Sequence, residues 1–118
     1  SKVTNMSHMF GDNDTGGTLN NLDGISNWDV SKVTNMEGMF YLCPIEDLNS
    51  ISNWNINTVD NMSFMFSMCQ NLTDASGIND WNIKRDCNFT SMFSHCSTHP
   101  NFTKITGTWD ENGTFTPN

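Results

Sequence analysis

Apolar residues recur along this chain with a long period. Trp28, Trp54, Trp81 and Trp109 stand 26, 27 and 28 residues apart, and the pairs Met9-Phe10, Met39-Phe40, Met65-Phe66 and Met92-Phe93 keep the same beat. The stretch W-D-V-S-K-V-T-N-M-E-G-M-F-Y-L-C from Trp28 to Cys43 is repeated as W-N-I-N-T-V-D-N-M-S-F-M-F-S-M-C from Trp54 to Cys69, with the same or a closely similar residue at ten of sixteen positions. Self-similarity at such a period marks units that bury an apolar face only by lying against their neighbours. Within a unit, Val33, Met36, Phe40 and Cys43 fall at i, i+3, i+7 and i+10, which predicts a short helix or helical turn with one apolar stripe. Trp54 and Ile56 alternate with polar Asn55, as Trp81 and Ile83 do with Asn82, the period-2 mark of a short strand. One short parallel strand and one helical turn per 26–28-residue unit predict an α/β repeat solenoid.

The units run 1–27, 28–53, 54–80 and 81–108, with a terminal rung or cap at 109–118, in a single domain spanning 1–118. The expected interior holds Trp28, Trp54, Trp81 and Trp109 together with Met36, Met39, Phe40, Met62, Met65, Phe66, Met92 and Phe93. Cys43, Cys69 and Cys96 share one repeat position and form a column of buried thiols or, since neighbouring units lie within the usual bridging range, disulfides between them. Cys87, aligned with Thr34 and Asp60, is expected to face outward. Asn5, Asn35, Asn61 and Asn88 also share a position, either as a ladder of amides satisfying buried backbone or as surface residues that start a turn. The pattern weakens where Asp86 and Phe89 replace valine and methionine, and the first unit carries the insertion GDNDTGGT.

Composition changes the picture in two ways. Eight Met, eight Phe and four Trp fill positions that Val and Leu usually hold, giving an interior of large, adaptable side chains. Five basic against thirteen acidic residues leave a net charge of −8, which excludes the electrostatics of nucleic-acid binding. No apolar run reaches the ~18 residues of a membrane span. The opening SKVTNM recurs at Ser31 to Met36, so the chain is expected to be a piece of a longer array whose targeting segment or anchor lies elsewhere.

Candidate chemistry is sparse. Asp12, Asp14 and Asp23 echo the start and twelfth-position acid of a calcium loop, yet Gly16 stands where a ligand belongs and a plain Asp/Asn/Gly loop explains the same residues. Cys87, His95, Cys96 and His99 lack the paired spacing of a zinc site. Seven N-x-S/T sequons occur, of which Asn13, Asn71, Asn101 and Asn112 fall in loops or the tail and are the glycosylation candidates; Asn5, Asn61 and Asn88 are expected to be inaccessible. No nucleophile, base and orienting group fall at a catalytic spacing, so neither an enzyme nor a cofactor is expected.

The string W-[DN]-[VI]-x-x-V-x-N-M-x-x-M-F-x-x-C resembles the repeat of the BspA-like leucine-rich-repeat surface proteins, including the mycoplasma-lipoprotein type with units of about 25 residues. The resemblance covers nearly the whole chain and weakens at Asn13 and Asp86. It implies a leucine-rich-repeat-like right-handed coil displayed at a cell surface or in an extracellular assembly, with a virion as the alternative location. The expected function is a non-catalytic module for protein interaction or adhesion; the alternative is an architectural fibre, spacer or minor virion component. Expected partners are other proteins, surface glycans or further copies of the chain.

Overall fold

A computed structural model of the chain describes residues 3–11 and 17–118. In the second unit the backbone amides divide into two sets. Those of Met39, Tyr41 and Cys43 donate to the carbonyls of Met36, Gly38 and Phe40 and close three overlapping turns. Those of Met36, Gly38, Phe40 and Leu42 donate to Asn61, Ser63, Met65 and Ser67 of the next unit at 2.8–3.0 Å. Glu37 completes the account by donating to Asn35 Oδ1 at 2.9 Å. Every amide from Met36 to Cys43 therefore has an acceptor, which allows the segment to be buried. Met62, Phe64, Phe66 and Met68 repeat the outward set onto Asn88, Thr90, Met92 and Ser94.

This arrangement overturns the expected α/β solenoid and the leucine-rich-repeat-like coil. Among the described residues there is no α-helix and no parallel strand. There are three 3-10 helices, Asp23–Ile25, Asn49–Ile51 and Ser76–Ile78, and one antiparallel pair, β1 (Gly107–Trp109) and β2 (Phe115–Pro117). Parallel pairing is confined to isolated bridges such as Asn35 to Asn61. A radius of gyration of 12.7 Å and extents of 35 × 33 × 23 Å describe a compact body. The physical reason is backbone handedness: Gly38 and Leu42 have φ of 60° and 61°, Phe64 and Met68 58° and 64°, Ser91 and His95 53° and 61°. A left-handed residue costs about 1 to 2 kcal/mol in an L-chain and cannot continue a right-handed helix. Overlapping turns also bring apolar residues round every three or four positions, so the helical spacing is genuine while the helix is absent. Nor is Trp54 to Ile56 a strand. The Trp54 amide bonds Ile51 O at 3.2 Å and the Asn57 amide bonds Asn55 Oδ1 at 3.4 Å, local bonds that displace an extended ladder.

Asparagine and aspartate make the corners. Asn21, Asp47 and Asp74 accept from the amides two residues on and so set up the three 3-10 helices. Asn5, Asn35, Asn61 and Asn88 do the same for Ser7, Glu37, Ser63 and Thr90, each at 2.9 Å. The polar composition is in large part this wiring. At two such corners, Ser31 and Ser76 hold the Asp29 and Asp74 carboxyls below the ordinary range by side-chain and backbone hydrogen bonds.

The interior runs through all units. Met36, Met39, Phe40, Met62, Met65, Phe66 and Met92 are fully buried, and Phe93 nearly so. The rings of Phe10, Phe40, Phe66 and Phe93 stack at 5.7, 5.4 and 5.0 Å. Trp54 and Trp81 are buried, and their indole N–H groups donate to Ile25 O at 3.2 Å and Ile51 O at 3.0 Å, each just over one repeat length earlier in the chain.

Three expectations about the interior need correction. Trp28, which opens the second unit, is 38% exposed, although its ring meets Phe10 of the first unit at 5.8 Å. Trp109 is half-buried in β1, where its ring meets Phe93, Phe102 and Phe115 in place of a unit interior. Cys87 is buried, not outward: its amide donates to Lys84 O as that of Val59 does to Ile56 O and that of Val33 to Val30 O. The fourth unit has slipped by one residue there, so Cys87 takes the valine's place and Asp86 is left outside.

All four cysteines are free, which removes the disulfide alternative. The thiols of Cys43, Cys69 and Cys96 point to the carbonyls of Phe10, Phe40 and Phe66 in the preceding units at 3.4, 3.1 and 3.0 Å, with Cys96 only half-buried.

The β1–β2 hairpin closes the far end. Gly113 O accepts the Phe93 amide at 3.0 Å and Thr114 Oγ1 accepts the Ser91 amide at 2.7 Å, the role a following unit plays elsewhere. Glycine is required at 113, where φ is 73° and a Cβ would lie 2.4 Å from the Phe93 carbonyl carbon.

Candidate binding groove

The left-handed residues determine what the surface presents. They turn the positions around each Met-Phe pair outward, and those of adjacent units line up into a groove of about 450 Å³ running from His8 to His95. That volume is in the range of small-ligand clefts. Gly38 allows His8 to reach into it, since a Cβ at 38 would lie 2.4 Å from the imidazole Cε1. Ser67 lies beneath, 2% exposed, with its hydroxyl 2.6 Å from that of Ser94. Tyr41 and Phe64 stand along the groove. The phenyl of Phe64 is 39% exposed and, among the described residues, pairs with no other ring. Glu37 supplies the one carboxylate of the lining, its Oε1 accepting from Asn61 Nδ2 at 3.4 Å, and no lysine or arginine takes part.

Most residues singled out in the sequence lie elsewhere. Asp12, Asn13 and Asp14 fall outside the described residues. Asp23 is exposed and its carboxylate takes a hydrogen bond from the Ser50 hydroxyl. Among the described residues no three His, Cys, Asp or Glu side chains converge as metal ligands. The asparagine set is joined through its backbones, by bridges from Asn5 to Asn35, Asn61 and Asn88 in turn. Its amide oxygens serve their own turns, which is the second of the two readings of these residues, side chains that start a turn. Asn71, Asn101 and Asn112 are exposed. So are Asn5 and Asn88, against the expectation that they are inaccessible.

Cysteine chemistry is suppressed by position. Burial pushes the Cys43 thiol up to about 11 and Cys87 up to about 12, and raises Cys69 and Cys96 as well. His99 stacks on Trp109 at 4.8 Å, with Nδ1 2.8 Å from Pro100 O. The groove residues themselves escaped the sequence reading. Their one signal was the apolar Phe64 at a position that is Gly38 one unit earlier and Ser91 one unit later.

Units of overlapping turns bonded in series, with a groove across them, define a repeat-built protein. The chain belongs to the family described as Mycoplasma protein of unknown function, DUF285, which matches residues 4–113. No curated protein and no solved structure matches it.

Proposed function

We propose that the chain is a non-catalytic module for protein interaction or adhesion, acting at a cell surface or in an extracellular assembly and related to the BspA-like surface proteins. Phe64 is the observation that supports this reading. Its backbone is held in the left-handed region and its ring is 39% exposed. Both cost stability, and the equivalent position holds glycine in the preceding unit. A bulky ring kept there, facing a groove, has the character of a contact surface. The exposed sequons at Asn71, Asn101 and Asn112 accord with an extracellular setting.

The test is adhesion of protein-coated beads to host-type cell layers. Wild-type beads are expected to bind and Phe64→Gly beads to lose most of that adhesion. Equal adhesion by both overturns the reading. An architectural role is the second reading, favoured by Val3, Met9 and Trp28, three of the four exposed large apolar side chains among the described residues, which fall within the first 28 residues of the chain. Light scattering over a concentration series separates the two, since growth into long particles belongs to the architectural role and a constant monomer to the module.

A further inference from the structure

We infer that the groove binds a neutral glycan chain laid across the units, an inference that rests on the interaction-module reading above. Charge gives the first argument. The lining offers one carboxylate and no lysine or arginine, within a chain of net charge −8, so sialylated and sulfated chains and acidic peptides are repelled.

Hydrogen-bonding capacity gives the second. The hydroxyls of Tyr41, Ser91 and Ser94 and the imidazoles of His8 and His95 each both donate and accept, as the hydroxyls of a sugar do. An extended peptide that binds by strand addition, by contrast, needs a strand edge with free backbone groups. The second unit offers no such edge, since every amide from Met36 to Cys43 is already committed to a turn or to the next unit.

Shape gives the third. Phe64 brings an exposed aromatic ring to the groove, the group on which the C–H face of a pyranose packs. Successive units repeat at 5.0 to 5.7 Å, judged by the stacked phenyl rings, a step close to that of one pyranose in a linear chain. Equivalent side chains from adjacent units therefore meet successive sugars. The groove spans four units, so affinity rises with chain length and levels off once about four rings are seated, as each added unit contact stops being available.

The experiment is titration calorimetry of the intact chain with linear manno-, gluco- and galacto-oligosaccharides, alongside sialylated and sulfated counterparts and the bead assay. Binding of at least one neutral series is expected, insensitive to salt. About tenfold weaker binding is expected for Phe64→Gly and for Tyr41→Phe, whose fold is checked by circular dichroism. Binding confined to the charged glycans overturns the inference. So does silence with every neutral series while bead adhesion stays dependent on Phe64 and is abolished by protease treatment of the cells; the module reading then survives with a protein partner. Absence of both glycan binding and adhesion removes both readings.

Discussion

Two phenylalanines separated by one methionine have opposite roles. Phe66 is fully buried in the ring stack, so Phe66→Ala is expected to cost about 3 to 5 kcal/mol in urea unfolding. Phe64→Gly is expected to leave stability unchanged or raise it by up to about 1 kcal/mol, because glycine relieves the left-handed backbone. A loss above about 1 kcal/mol would make the Phe64 ring structural. The tryptophans differ in the same manner: Trp54→Ala should cost about 3 to 5 kcal/mol, and Trp28→Ala less than half as much, as its ring is partly in water already. At this scale the sequence is informative where burial follows from spacing, as at Met36, Met39 and Phe40. It fails at Trp28, which keeps the tryptophan spacing yet is partly exposed. It fails again at Cys87, where a one-residue slip changes which side chain points in.

Within each unit the decisive element is the string of overlapping turns. Its apolar period is legible in the sequence, but the period cannot separate a helix from turns that revisit one face every three or four residues. The residues that would have decided the matter are the left-handed ones, and only Gly38 among Gly38, Leu42, Phe64, Met68, Ser91 and His95 advertises that conformation. The groove was hidden for the same reason, since it is made by what those residues turn outward. The closing hairpin tests the turn-to-turn bonding directly. Gly113→Ala forces a methyl against the Phe93 backbone and strains φ, so a loss of at least about 2 kcal/mol is expected. Hydrogen exchange should speed up at the Ser91 and Phe93 amides before it does at Phe40; uniform protection would mean that the hairpin is not what holds the last unit.

For the whole molecule, the buried thiols connect stability to alkaline pH. In the unfolded chain a cysteine ionises near its ordinary value of 9.0, whereas in the fold Cys43 is raised to about 11 and Cys87 to about 12, chiefly by burial. The folded state thus holds more protons between those values, so stability is full below pH 9 and falls as pH rises toward 11 and 12. Lys84, raised chiefly by its hydrogen bond to Asp60, shifts stability in the same direction. Urea midpoints measured from neutral pH upward should show the decline, and a Cys43→Ala, Cys87→Ala variant should show less of it. A pH-independent midpoint in the wild type would mean that the thiols are as accessible folded as unfolded.

The amide bonds from each unit to the next also have a mechanical consequence. They lie between units joined one after another, with the chain entering at one end and leaving through the hairpin at the other. Tension applied to the two termini loads those junctions in sequence, so the molecule should lengthen in discrete increments of one unit's contour. Force-extension measurements on the intact chain should show those steps.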